Sequence, residues 1–106
     1  MSYSRLRSER LAAAKRKGDH TKKQWLEMLE FFEYTCVRCL GDNGSNIEKD
    51  HIIPIYQGGS NGLDNIQPLC GRCNCQKGPE TIDWRPQGAD WLKKELPEIY
   101  SQNISI

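Results

Sequence analysis

The chain has few apolar residues. Of its 106 residues, 37% are Ala, Val, Ile, Leu, Met, Phe, Trp, Tyr or Cys, and the mean hydropathy is −0.75. So thin a core gains much from a cross-link or a bound metal. No apolar run is long enough to span a membrane, and no secretory signal pattern follows Met1. The expected compartment is therefore the cytoplasm. Thiols stay reduced there, which favours metal binding over disulfides for paired cysteines. The cysteine count is five, an odd number that argues against a closed disulfide framework. There is no internal repeat and no low-complexity tract, and the length fits one domain.

Charge of one sign is also lacking overall, since the formal net charge is +1. That near-balance hides an asymmetry. Residues 1–24 carry eight Lys/Arg against Glu9 and Asp19, a net +6, and the remainder carries a net −5. A basic arm on a mildly acidic body suits a phosphate backbone. A solvated, partly disordered leader fits the same residues. The expected organisation is a basic arm over 1–20, a folded domain over 21–100 and a tail over 101–106.

What the chain does have is a cysteine frame. Cys36-Val37-Arg38-Cys39 opens it and Cys70-Gly71-Arg72-Cys73 closes it. Two C-x-x-C pairs predict one tetrahedral zinc site of Cys36, Cys39, Cys70 and Cys73, closed and structural. Cys75 is spare. It can stand in for Cys73 as a ligand, but the x-x spacing of the knuckle favours Cys73. Between the pairs lie Lys49-Asp50-His51-Ile52-Ile53-Pro54, Gly58-Gly59-Ser60-Asn61 and Asn65-Ile66-Gln67-Pro68-Leu69, and Asn74 and Lys77 follow. Zinc needs none of Asp50, His51, Asn65 and Asn74. They have the chemistry for a second metal site and a base.

Local patterns place these residues on elements. Residues 1–20 have Leu6, Leu11 and Ala12 to Ala14 for a transient helix, ended by Gly18. Thr21 to Gln24 matches a capping box, and Trp25, Leu26, Met28, Leu29 and Phe32 follow at helical spacing. A helix is expected from Lys22 to about Phe32, with its aromatic stripe in the core. Ile47 to Ile53 predicts a strand, Pro54 to Asp64 a loop, Asn65 to Leu69 a second strand and Arg72 to Lys77 a short helix. The result is a ββα unit around zinc, an α+β fold. Further on, Trp84 is expected to pack on the body and Gly88 to Leu96 to form a helix. His20 has no partner pattern and reads as a surface residue.

This arrangement resembles the HNH endonuclease family, in particular the small stand-alone HNH proteins common in bacteriophages. The resemblance rests on Cys36-x-x-Cys39, Asp50 to Pro54, Gly58-Gly59, Asn65 to Cys70 and Cys73-Asn74-x-x-Lys77, and covers about residues 21–85. The spacing is specific: 14 positions from His51 to Asn65 and 9 from Asn65 to Asn74. The implied fold is a ββα-metal nuclease core of the His-Me finger, treble-clef-like kind, with flanking helices.

The resemblance implies metal-dependent hydrolysis of DNA. Asp50 and Asn74 would hold one divalent ion, His51 would be the general base, and Asn65 would fix the loop and orient that base. An isolated Asn after Asp64 is equally a turn residue. Many relatives have a second histidine where this chain has Asn74, and the amide suggests a harder site suited to Mg²⁺ or Mn²⁺. Lys77 lies on the same helical face as Asn74, and with Arg72 and Arg38 it is a candidate for DNA contact. An ordinary solvated lysine fits position 77 as well. A single site predicts nicking, with loose specificity dominated by phosphate contacts, from a monomer or weak dimer. If the chain is phage-encoded, the host cytoplasm is its compartment and the large terminase subunit its expected partner. The rival reading is a non-catalytic zinc module that binds nucleic acid or protein. It has no use for Asp50, His51 and Asn74 together.

Overall fold

A computed structural model describes residues 3–41, 46–86 and 94. The first helix, α1, runs Tyr3–Lys17, with Lys15, Arg16 and Lys17 in its last turn. Cations there complement the negative end of the helix dipole. The sequence supports only a transient helix here. The difference comes from tertiary contacts at its end. The Asn61 backbone N–H donates to both Ala14 O (3.1 Å) and Gly18 O (3.0 Å), and Lys17 Nζ donates to Gly58 O (2.8 Å). These bonds seat the end of α1 on the loop between the two strands.

Helix α2 spans Lys22–Phe31. Its start is the predicted capping box: Gln24 N donates to Thr21 Oγ1 (3.1 Å), and Thr21 N donates to Gln24 Oε1 (2.8 Å). The two bonds satisfy two amides that a bare helix end leaves unpaired. The helix stops where Glu33 and Tyr34 take positive φ values of 55° and 58°, and Tyr34 N closes back on Leu29 O at 2.8 Å. Met28 packs with Leu63 and Ile66 in one core cluster, flanked by Trp25 and Phe32. The aromatic stripe thus packs on the core, with Trp25 and Phe32 half-buried against it and Leu26 exposed.

Strands β1 (Ile47–His51) and β2 (Ile66–Cys70) pair antiparallel, and α3 (Gly71–Lys77) follows β2 directly. This is the expected ββα unit. The register sets Asp50 opposite Gln67 and His51 opposite Ile66. Every residue of β2 is buried. β1 ends two residues earlier than its pattern suggests, because the side chain of Asn65 takes the Ile53 amide and carbonyl out of the ladder. Cys70 caps α3 through its sulfur, which accepts from Cys73 N at 3.4 Å.

A second core cluster holds Cys36, Leu69, Cys70 and Cys73, with Val37, Ile47 and Trp84 against it. Trp84 therefore packs on the body as expected, and its N–H donates to Gln67 Oε1 (2.9 Å). Among the described residues, the large aliphatic side chains buried completely are Met28, Leu63, Ile66 and Leu69. At about 1.5–3 kcal/mol each, they are a small reserve. Among the described residues no helix is long and apolar enough to cross a membrane. The helix expected over Gly88 to Leu96 and the tail after residue 100 lie outside the described residues, apart from Lys94.

Candidate active site

The cysteine frame closes on itself. The sulfurs of Cys36, Cys39, Cys70 and Cys73 all lie within 4.8 Å of one another. Cys39 Sγ and Cys70 Sγ are 3.8 Å apart, about the edge of a tetrahedron with Zn–S arms of about 2.3 Å. Cys75 is exposed and outside the cluster, so α3 selects Cys73 as the fourth ligand. Burial raises the Cys36 thiol, but N–H groups of Cys39, Cys70 and Arg38 outweigh it and bring it to about 7. Burial and the neighbouring thiols push Cys73 up to about 12. Four crowded thiols of this kind fit one structural zinc ion, which replaces their protons.

The second constellation lies where β1 meets α3. Neighbours on a strand point to opposite faces, so Asp50 and His51 share a site only where the strand ends. β1 ends at His51. Asp50, His51, Asn74 and Lys77 then line one open cleft of about 510 Å³ with Lys49 and Tyr56. That volume holds a phosphate group with several waters, at about 30 Å³ per water.

Asp50 is buried at its base. Its Oδ2 accepts from Gln67 Nε2 (2.8 Å), the residue opposite it in register. Its Oδ1 faces Lys77 Nζ at 3.3 Å, and that lysine side chain is 1% exposed. Lys77 also donates to His51 O (3.3 Å). The lysine is thus an internal cation against Asp50, and its ammonium is turned away from solvent. Asn74 is half-buried. Its Nδ2 donates to Glu48 Oε1 (2.8 Å), and its carbonyl oxygen has no hydrogen-bond partner among the described residues. Glu48 lies two residues before Asp50 and so on the same face of β1.

Asn65 is buried and fully engaged. Its Oδ1 accepts from Ile53 N (3.0 Å), and its Nδ2 donates to Ile53 O (3.0 Å) and Ser60 O (2.8 Å). The amide imitates a backbone partner and pins both ends of the loop after β1. That closure needs a glycine at 59, where a Cβ would sit 1.8 Å from Ile53 O. Arg38 and Arg72 are exposed and border a separate depression beside the cysteine cluster. Arg38 donates to Gln76 Oε1 (2.7 Å) and lies 5.2 Å from the Trp84 ring centre.

Residues without a sequence signal complete the surroundings of His51. His51 Nε2 meets Asn61 Oδ1 at 2.8 Å, and Asn61 Nδ2 donates to Asp19 Oδ1 at 2.7 Å. His20 is not a plain surface residue, as the sequence suggests. It is half-buried, with Nδ1 2.7 Å from Asn61 O and Nε2 3.1 Å from Lys49 Nζ. Burial lowers its pKa from the ordinary 6.5, with Lys49 adding to the effect. Asp19 is also lowered: burial opposes ionisation, but hydrogen bonds from His20 N and Asn61 and the charge of Lys15 outweigh it.

Both shifts have one sign. A histidine whose folded pKa lies below its unfolded value stabilises the fold above the unfolded value, and the contribution is lost as pH falls. We expect the melting temperature to drop between pH 7.5 and 5.5. The drop should be smaller in His20→Asn, which keeps a donor for Asn61 O without a titrating ring. Equal drops in the two proteins would remove His20 from the account.

No curated protein matches the chain, and no solved structure matches it. The family model described as HNH endonuclease matches residues 36–80, so the stretch from the first knuckle to the end of the ββα unit is similar to an HNH endonuclease domain.

Proposed function

We propose that the protein is a metal-dependent endonuclease that hydrolyses DNA phosphodiester bonds, one strand at a time. The observation that carries this reading is the meeting of Asp50, His51, Asn74 and Lys77 in one cleft. The donor set fits a hard divalent cation such as Mg²⁺ or Mn²⁺: a carboxylate, and an amide oxygen without a partner among the described residues, since Glu48 takes the amide nitrogen. Asp50 and Asn74 would hold it. When bound, such an ion neutralises phosphate charge and stabilises the departing 3′ oxygen. The rest falls to the chain. His51 accepts a proton from the attacking water, and Asn65 holds the loop that carries the base's surroundings. Gln67 and Lys77 hold Asp50 in place. Cleavage then leaves 5′-phosphate and 3′-hydroxyl ends.

The path of the DNA is suggested by α1. Arg10 lies 5.9 Å from the ring centre of Tyr56. Tyr56 is 54% exposed and borders both the cleft and a groove beside Arg7, Arg10 and Leu11. A strand whose phosphates follow this basic helix arrives at His51. Such contacts position DNA without reading bases, so specificity is loose.

The test is nicking of supercoiled plasmid with EDTA, Mg²⁺ or Mn²⁺. The expected result is nicked circles with either metal and none with EDTA. No nicking in any lane, from protein that holds its zinc, would shift the reading to a binding module. Adding a large terminase subunit to the same reaction tests the packaging role implied by the resemblance, and a rise in nicking supports it.

A further inference from the structure

We infer that Asp19 and Asn61 form a positioning relay that fixes His51 as its Nε2–H tautomer and so presents Nδ1 as the proton-accepting nitrogen. The inference rests on the nuclease reading for its purpose, but not for its geometry. The chain of bonds has one self-consistent assignment. A carboxylate only accepts, so the Asn61 atom 2.7 Å from Asp19 Oδ1 must be the amide nitrogen. The atom 2.8 Å from His51 Nε2 is then the amide oxygen, which also only accepts. His51 Nε2 must therefore carry a proton, and in the neutral ring Nδ1 keeps its lone pair. Among the described residues Nδ1 has no hydrogen-bond partner.

The relay is rigid. Asn61 is 8% exposed. Its backbone N–H is shared between Ala14 O and Gly18 O, and its carbonyl oxygen faces His20 Nδ1 at 2.7 Å. Asp19 lies between α1 and α2, Asn61 between β1 and β2, and His51 at the end of β1. The docked end of α1 is thereby joined to the base. Asp19 touches neither substrate nor metal ligand and acts through Asn61.

The same reasoning assigns the other ring. Asn61 O is a carbonyl and accepts, so His20 Nδ1 donates, and His20 Nε2 accepts from the Lys49 ammonium at 3.1 Å. The chain has two histidines, and they should hold opposite tautomers.

The readout is long-range ¹H–¹⁵N NMR on ¹⁵N-histidine-labelled, zinc-loaded protein under conditions where both rings are neutral, beside the nicking rate. The expected spectrum has one Nε2–H and one Nδ1–H ring, with His20→Asn removing the second. Asp19→Ala, which removes the acceptor for Asn61 Nδ2 at an exposed position, should move His51 off the pure Nε2–H pattern and lower nicking roughly 10–100-fold. Asn61→Asp sets two acceptors against each other and should lose as much. In the double variant Asp19→Asn/Asn61→Asp the new amide at 19 donates to the new carboxylate at 61, which still accepts from His51 Nε2. The double variant should recover the Nε2–H signal and most of the rate, a rescue that loss of packing cannot mimic. An Nδ1–H signal for His51 in the unaltered protein, or single variants unchanged in both spectrum and rate, would overturn the relay. The tautomer is read without cleavage. An unaltered protein that fails to nick therefore counts against the nuclease reading, and its spectrum still decides the relay.

Discussion

Replacing Cys70 by serine is expected to abolish folding, not only activity. Cys70 belongs to the four-sulfur cluster, ends β2, and caps α3 by accepting from Cys73 N. The rest of the core has little to set against its loss. The completely buried aliphatic side chains form small clusters, and one of those clusters is built of the cysteines themselves. Zinc binding in small domains of this kind contributes roughly 10–16 kcal/mol near pH 7, as much as the whole net stability of an ordinary domain, about 5–15 kcal/mol. Removing one thiolate therefore exceeds the reserve. The expected outcome is loss of the cooperative thermal transition and of bound zinc. Strong chelation of the unaltered protein should do the same. Cys75→Ser is the control. That thiol is exposed and outside the cluster, so zinc content and melting temperature should not change. A Cys70→Ser protein that melts cooperatively near the normal temperature would show that the fold stands without the metal.

The fold was legible where its rules are local. Thr21 and Gln24 announce α2 because a capping box is a four-residue device. The paired C-x-x-C motifs announce a metal site because a knuckle needs that spacing. Gly78 and Pro79 mark the end of α3. The limits of β1 were less readable. Ile52 and Ile53 continue the strand pattern, but the ladder stops because Asn65, twelve residues from Ile53, supplies a competing partner. α1 was the least legible as a docked element. Nothing in a basic, alanine-containing leader predicts that Asn61 will bind its last carbonyls.

The site divides the same way. Asp50, His51, Asn65 and Asn74 are candidates through the order and spacing of a motif. Their supports are not, because they are single polar residues far away in sequence. Gln67 reaches Asp50 across the sheet register, a pairing readable only once both strands are aligned. Asp19 and Glu48 each take the nitrogen of an asparagine and leave its oxygen to the site, a role no spacing rule encodes. Lys77 shows the limit of helical periodicity. Its place on the face of Asn74 is right, yet its ammonium turns inward to Asp50 and His51 O, where the sequence favours solvent or phosphate.

That inward lysine decides which variant tests the chemistry best. Asp50→Ala would leave the Lys77 ammonium buried without its partner, which costs about 3–5 kcal/mol. Lost cleavage would then be indistinguishable from lost structure. His51→Ala carries no such burden. It leaves Asn61 Oδ1 without its donor, a loss of about 1–3 kcal/mol that a zinc-held domain can absorb. Removal of a positioned general base lowers turnover about 10²–10⁴-fold. His51→Ala should therefore keep its zinc and a cooperative melt, bind DNA within a few-fold of the unaltered protein, and nick at least about 10²-fold more slowly. Mg²⁺ and Mn²⁺ should not restore the rate, because an ion held by Asp50 and Asn74 would not replace the proposed base. Nicking at the normal rate would remove His51 from the chemistry and leave water activation to another group in the cleft. Loss of DNA binding together with cleavage would give His51 a binding role and leave the base unassigned.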